Sequence, residues 1–595
     1  MSERVKPLSL WDSRFSSPAG RRRAQAVTMW PRSRQGLWLA LGSVAGAALL
    51  TLGALAALVF LVRPAPPFEA YVEAVSDEPP LFNPVLAPYT LAGQDVLTLV
   101  FAGLVRADAV GNLQPDLAEG WDVSPDGRVY TFRLREGLAW HDGAPLDAGD
   151  VRFTIELVQA ADHQGNGELA ELWRGVTVDA TDERTVRFSL PDPLASFPEH
   201  LTLGLLPRHL LEGVSAAALP LHPLNRYPIG SGPYQVASLE PERAILERYP
   251  GYHGTPPRLE RIELRFFADR SVAVDALLGG RVDGLGHLRA EEVERAAATP
   301  HLAVYAFPER SKVATLALNV QSELFAERAV RLALARAVDR SGLVRRALAG
   351  RGEPAFGPIP VQSWAYAQVP NAAEYDPIGA TALLDGAGWQ VGPSGIRERE
   401  GRRLAFTALT ADTPERLAVA RELVEQLGRV GFAVELRSLP SDELTEEHLE
   451  RRQFEAALVG SWAMGSDPDV YPQWHSSQVA PVGGNYAGFA DPDVDRWLEA
   501  GRQELRSEDR RNAYLHFQAR WAEEQPSVML YHPLSSFAVS KDVRGVQADA
   551  RPDSSWRLRD AVHWRRPSHP TALQRGRELV ITRLGVLGLP IRTGP

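Results

Sequence analysis

A run of 27 residues without a charged side chain, from Gly36 to Val62, constrains this 595-residue chain more than any other feature. As a helix rising about 1.5 Å per residue it exceeds the ~30 Å hydrocarbon core of a bilayer, so it is predicted to span one. Residues 1–35 carry eight basic side chains (Arg4, Lys6, Arg14, Arg21, Arg22, Arg23, Arg32 and Arg34) against Glu3 and Asp12, a net +6. Positive charge stays in the cytoplasm, which places everything after Arg63 outside. A cleaved signal peptide has a shorter apolar region with a small-residue cleavage site after it. Both A-x-A patterns here, Ala45 to Ala47 and Ala54 to Ala56, are followed by more apolar chain, so the segment is predicted to remain as an anchor. Met29 is an alternative start that keeps Arg32 and Arg34 ahead of the run. Residues 63–80, with Pro64, Pro66, Pro67, Pro79 and Pro80, read as a stiff spacer.

The formal charge is −10, and taking the leader's +6 out of it leaves −16 on the remainder, which argues against a nucleic-acid partner. Apolar residues at 45% and charged residues at 23% are those of a globular chain with a large core, about two to four domains at ~150 residues each. Cysteine is absent, which excludes disulfides, thiolate metal sites, a cysteine nucleophile and a lipid-modified cysteine. Only Lys6, Lys312 and Lys541 are lysines and none follows a glycine, so there is no phosphate-cradling GxxxxGK loop. The 14 histidines include no HExxH and no close pair, so neither a metal nor another cofactor is expected. His141, between Trp140 and Asp142, reads as a hydrogen-bonded turn residue. Gly230-Ser231-Gly232 lacks the five-residue spacing of a hydrolase elbow and reads as a tight turn. Asp491, Asp493 and Asp495 open like a calcium loop, but Arg496 and Arg502 stand where glycine and a bidentate glutamate are required. Carboxylates that converge only in space keep an enzyme among the competing readings.

Apolar and polar residues alternate at Tyr130 to Arg135, at Val186 to Leu190 and at Ile262 to Phe266, predicting half-buried strands. Leu417, Ala420, Leu423, Val424, Leu427 and Val430 recur at helical spacing behind Thr413-Pro414, a cap and a first-turn proline. Gly431 ends that helix, and Val434 and Leu436 resume as a strand. Asp376-Pro377 and Asp491-Pro492 repeat the same helix start, so the class is mixed α/β. Trp462, Tyr471, Trp474, Tyr486 and Phe489 lie among Gly460, Gly465, Gly483, Gly484 and Gly488. Such glycine-broken aromatic chain suits a pocket wall and equally suits a core beneath loops.

Read in order, these segments resemble the family 5 extracellular solute-binding proteins of ABC importers, the group of oligopeptide-, dipeptide- and nickel-binding receptors. Leu81 to Pro84 (LFNP) looks like the family's early loop and Phe101 to Arg106 (FAGLVR) like its helix end. The most specific stretch is Pro115 to Trp121, Asp126-Gly127, Tyr130 to Gly137, Trp140 to Pro145 and Asp150 to Thr154. Ile229 to Tyr234 (IGSGPY), Gly279 to Asp283 (GGRVD), Val330-Arg331 with Ala337 to Arg340, and then Trp462, Asp467-Pro468, Asn485-Tyr486 and Asp495 follow in register.

The resemblance implies a two-lobed α/β fold of the type II periplasmic-binding-protein kind with an inserted subdomain, behind one transmembrane helix. Lobe 1 would occupy 81–315, with the insert at about 108–224, lobe 2 residues 316–526, and the chain would return to lobe 1 at 527–566. The tail 567–595, its apolar residues broken by Arg583, is too short for a span. Such a receptor makes and breaks no bond: it closes on a peptide or peptide-like solute and docks on a permease with its ATPase, working as a monomer. Relatives that bind peptides hold the amino terminus with an aspartate three residues after the tryptophan. That position is Gly465 here, so a modified peptide, a sugar or a metal chelate stays open, and Asp467 is expected to cap a helix. The implied pocket is Trp462, Ala463, Met464, Gly465 and Asp467 with Asn485 and Tyr486, facing Phe82 and Asn83. A ligand sensor on the same fold and an anchored hydrolase are the competing readings.

Overall fold

A computed structural model describes residues 70–76, 81–86, 91–108, 111–165, 167–369, 374–460, 467–481, 483–547 and 556–566. The leader, the apolar run 36–62, the tail 567–595 and four of the predicted site residues, Trp462, Ala463, Met464 and Gly465, lie outside them. Among the described residues no helix is long and apolar enough to cross a membrane.

One strand organises the molecule. Ser527–Ser540 is 14 residues long and almost wholly buried, as its run of Val528, Met529, Leu530, Tyr531 and later Phe537, Ala538 and Val539 requires. Its first part pairs antiparallel with Ala314–Leu318, with Tyr531 opposite Ala314. Beyond that lie Ala456–Val459, Ala405–Ala411 and Ala433–Leu439, the last three mutually parallel. Its second part pairs antiparallel with Leu302–Pro308, with Leu534 opposite Pro308, and with Gly284–Leu285. Ala70–Val75 and Arg261–Phe266 continue from Gly284–Leu285 in parallel, and the antiparallel pair Arg243–Arg248 and Tyr234–Glu240 finishes that side.

The apolar cores respect this division. Two clusters draw their members from residues 71–307 and 537–564, and three draw theirs from residues 313–531. Among the described residues no cluster joins Phe307 to Val313 or Tyr531 to Phe537, so two separately packed halves share one strand. A contact core transmits rigidity only within itself.

The first half carries a four-stranded antiparallel sheet, Ala118–Val123, Val129–Leu134, Thr185–Ser189 and Thr177–Ala180 in spatial order. The predicted alternation holds there: Tyr130, Phe132 and Leu134 are buried while Arg133 is exposed. Helix Ala148–Gln159 buries Val151, Ile155 and Val158, and Asp147 with Asp150 forms a reciprocal cap at its start. The second half contains the helix predicted behind Thr413-Pro414, observed as Pro414–Gly428, with the Thr413 hydroxyl accepting from Arg416 N–H.

Candidate functional site

Strand direction locates the site. Ala70–Val75, Arg261–Phe266 and Gly284–Leu285 all run opposite to the long strand, so their carboxyl ends point to its middle, at 531–534. In the other half Val459, the carboxyl end of Ala456–Val459, pairs with Thr315 beside Tyr531. Its parallel neighbours end on the same side, at Ala411 and Leu439. The carboxyl edges of both halves therefore face each other across one crossing, and in open α/β sheets the carboxyl ends of the strands are where ligands sit.

Among the described residues, two chain segments make that crossing between the separated cores, 309–313 and 531–534. The Pro533 carbonyl accepts from Glu309 N–H at 2.8 Å, and His532 Nδ1 donates to the Lys312 carbonyl at 2.7 Å. Burial pushes the His532 pKa down, which keeps the ring neutral for that role. Lys312 Nζ lies 3.1 Å from Glu309 Oε2, and Arg310 Nη2 donates to Glu353 Oε2 at 2.8 Å.

On the first half's carboxyl edge a cavity of about 380 Å³ is lined by Glu73, Ser76, Asp95, Arg270, His287 and Arg557, among others. Arg557 is buried there, donating to Glu73 Oε1 at 2.7 Å and to Asp95 Oδ2 at 2.6 Å. Tyr71 donates to Glu73, and His287 Nε2 lies 3.2 Å from Asp95 Oδ2. Burial raises the Glu73 pKa against the pull of Arg557. Burial also disfavours charge on Arg557, but Glu73 and Asp95 overcome it and hold the guanidinium protonated. Added methyl groups at Gly284 and Gly286 would meet Tyr71 and Glu73 at one position and the Arg557 guanidinium at the other, so these glycines give the cluster its room.

On the second half's edge, Arg416 donates to the Val459 carbonyl at 3.3 Å and Tyr531 to Glu415 Oε1 at 3.0 Å. A seam closes part of the gap between the halves. Ala195 N–H donates to the Arg502 carbonyl at 2.7 Å, and Glu199 accepts from Asp467 N–H. Asp467 Oδ1 takes Arg510 Nη2 at 2.6 Å, Asp469 takes Arg502 at 2.8 Å, and Arg502 lies 4.0 Å over the Tyr471 ring. His200 sits beside this seam, its pKa pushed down to about 4 chiefly by burial.

The described members of the predicted pocket are dispersed. Phe82 and Asn83 follow the carboxyl end of Ala70–Val75, both 1% exposed; Asn83 donates to Asn225 and accepts from Val85 and Leu86 N–H, bracing a turn. Asn485, fully buried, spends its amide on His475 and Phe489. Tyr486 is half-buried against the core of Leu409 and Val459. Asp467 caps no helix: its carboxylate is drawn to the buried Arg510 instead, and the next helix, Tyr471–Trp474, is headed by Val470. Trp474 and Phe489 belong to the core of Tyr514 and Trp521, which favours the core reading for that part of the aromatic stretch. Sequence reasoning passed over Glu73, Asp95, His287 and Arg557. The signal for the first two was an acid inside each of two otherwise apolar elements, AYVEAV and LAGQDVLTLV, but the partner arginine comes more than 450 residues later.

A larger cavity, about 610 Å³, is lined by Arg106, Asp116, Arg135 and His253 among others. It opens beside the turn after Arg243–Arg248, an antiparallel strand, and so lies at the amino ends of the parallel strands, away from the crossing. His253 Nε2 already engages Asp116 at 2.7 Å within it.

Two half-sheets with facing carboxyl edges and a two-segment crossing define the α/β periplasmic binding-protein fold. The chain belongs to the bacterial extracellular solute-binding proteins, family 5, whose "family 5 Middle" description matches residues 112–480. It is 28% identical over 494 residues to the oligopeptide-binding protein AppA of Bacillus subtilis, covering 80% of this chain and 88% of that one. Protein XP55 of Streptomyces lividans is 31% identical over 474 residues, with 78% and 83% covered. The structure of B. subtilis AppA in complex with a nonapeptide superposes with a TM-score of 0.64 at 26% identity, over 84% of this chain and all of that one. NikZ from Campylobacter jejuni in complex with Ni(L-His) gives 0.66 at 25% identity, with 84% and 100% covered. The task of this family is to bind solute, not to transform it, and the chain is a solute-binding protein rather than an enzyme.

Proposed function

We propose that this chain is the membrane-anchored receptor of an ABC importer that encloses a peptide or peptide-like solute and delivers it unchanged to a permease and its ATPase. The observation that carries the reading is the pair of carboxyl edges facing across the 309–313 and 531–534 crossing. Relatives named for oligopeptide and dipeptide binding support a peptide, and a Ni(L-His) complex on the same fold supports peptide-like chelates as the wider class.

In this reading lobe 1 comprises Ala70–Val75 and 81–308, with its insert at about 108–224 and its return after 534, and lobe 2 is 314–531; the expected bounds of 81–315, 316–526 and 527–566 shift because Ala314–Leu318 and the first part of Ser527–Ser540 pack with the second half. Residues 462–465 follow the carboxyl end of Ala456–Val459 and form the lobe 2 wall together with Tyr486 and Asp467. Phe82, Asn83 and Asn485 act as the braces that shape it. The two-segment crossing bends as the lobes close, and closure is driven only by contacts the solute makes better in the closed form. Residues 36–62 hold the receptor to the membrane as a single span, with the spacer cut back from 63–80 to 63–69 because Ala70–Val75 is a strand of the first half, and the binding unit lies outside the cytoplasm as a monomer.

The test is to purify the full chain in detergent, release what co-purifies into acid and identify it by mass spectrometry, then refill the chain with a random pentapeptide pool. Peptides or amino-acid chelates should be recovered. Recovery of nothing small, no uptake from the pool, and turnover of a polymer instead would end the reading.

A further inference from the structure

The buried charges at the lobe 1 edge do not balance. Glu73, Asp95 and Arg557 are each at most 4% exposed in their side chains, two carboxyl groups to one guanidinium. Arg557 is spent on one oxygen of each acid, and Tyr71 on the other oxygen of Glu73. Asp95 Oδ2 receives both Arg557 and His287, whereas Asp95 Oδ1, buried in a residue that lines the 380 Å³ cavity, has no hydrogen-bond partner among the described residues. A buried carboxylate oxygen without a donor is costly to leave unmatched, and an arriving donor recovers that cost.

The neighbouring cations cannot supply it. Arg270 is committed to Glu292 at 2.6 Å, to Ser76 Oγ at 2.8 Å and to the His287 carbonyl at 2.7 Å, and Arg289 stands exposed at the rim. His287 is itself held in the left-handed region at φ 53°, a conformation few non-glycine residues adopt, with its carbonyl tied to Arg270 and its ring to Asp95. The cavity lies at the carboxyl ends of Ala70–Val75 and Gly284–Leu285, on the edge that faces the other half.

We propose that this cavity receives a cationic nitrogen of the solute, an ammonium or guanidinium, on Asp95 Oδ1. The inference rests on the peptide reading above and gives it a polarity: the charged nitrogen of the cargo is anchored in lobe 1. The sequence has Gly465 where the resemblance leads one to expect a carboxylate, and Asp95 offers one from lobe 1. The nitrogen comes from a peptide's amino terminus or from a lysine or arginine side chain.

The experiment uses the full chain in detergent and three pentapeptide pools: free amino termini without Lys or Arg, acetylated termini without Lys or Arg, and acetylated termini with one Lys. Methylguanidinium against neutral methylurea, each at millimolar concentration, is the peptide-independent arm. The first or third pool should bind about tenfold or more tightly than the second, a charge-assisted hydrogen bond's share of affinity. Which of the two prevails identifies the source of the nitrogen. Asp95→Asn should remove the preference and Asp192→Asn, at an exposed surface carboxylate, should leave it. Because Asp95→Asn alters a buried ion cluster and can fail to fold, hydrogen exchange on the unmodified chain is read as well. The charged pool should protect amides of 91–100 and 284–290 beyond what the neutral pool does. Equal binding of all pools with no methylguanidinium effect overturns this proposal and leaves the peptide reading standing. Methylguanidinium bound at those amides with no pool taken up overturns the peptide reading alone, and silence in every arm overturns both.

Discussion

Arg557 is the residue on which the lobe 1 edge depends, because its guanidinium joins two buried carboxylates. Replacing it by Met leaves Glu73 and Asp95 facing each other without a counter-charge, and the expected loss is about 3–5 kcal/mol in urea unfolding. The triple change Glu73→Gln, Asp95→Asn, Arg557→Met should recover most of that, since it removes the charges together; a triple variant as weak as the single one would contradict the account. His141 works differently. Its Nδ1 accepts Gly230 N–H at 3.2 Å and its Nε2 donates to the Gly232 carbonyl at 3.0 Å, so only the neutral ring fits the turn. Burial pushes its pKa down to about 4. Against an unfolded value near 6.5, the folded state binds fewer protons, so this stability is complete above about pH 6.5 and is lost as pH falls towards 4. His141→Gln should lower the melting temperature at pH 7.5 yet flatten its decline between pH 7.5 and 5. A decline as steep as that of the unmodified chain would show that His141 does not titrate in this way.

At the scale of elements, the helix starts with an acid or threonine before proline were legible because capping is local. Asp491 accepts from Asp493 and Val494 N–H and holds Arg520 Nε at 2.8 Å, so Asp491→Ala should cost about 1–2 kcal/mol, read as a shift of the urea midpoint at unchanged slope. Thr413→Ala, which loses one capping bond and no ion pair, should cost less. Asp467-Pro468 carries the same local signature and starts no helix, because the buried Arg510, stacked 5.0 Å from the Trp364 ring, competes for the carboxylate. A short-range signal is overruled when a long-range partner offers the same group a stronger bond in a drier place.

At the scale of the molecule, the two halves have separate cores, one shared strand and a seam at Ala195, Glu199, Asp467 and Arg502. The chain has no cysteine, so spin labels can be introduced at two sites without background. Val272 in the first half and Ile378 in the second are 45% and 82% exposed. Labels placed there should move to shorter separations when the pentapeptide pool is added, and a distribution that ignores the pool would deny closure. Weakening the seam with Glu199→Gln should broaden the solute-free distribution towards longer separations.

Local chemistry wrote much of this protein directly into its sequence: the alternating strands, the capped helices, the uncharged run before the folded part and the ordered family segments all rest on neighbours within a few residues. The site was legible only as a neighbourhood. That Asn83 and Asn485 brace turns, that Asp467 pairs with Arg510, and that Glu73 and Asp95 meet Arg557 follow from chain segments that come together only after folding. Burial decides the charge and bonding of such groups, and burial is a property of the packed fold.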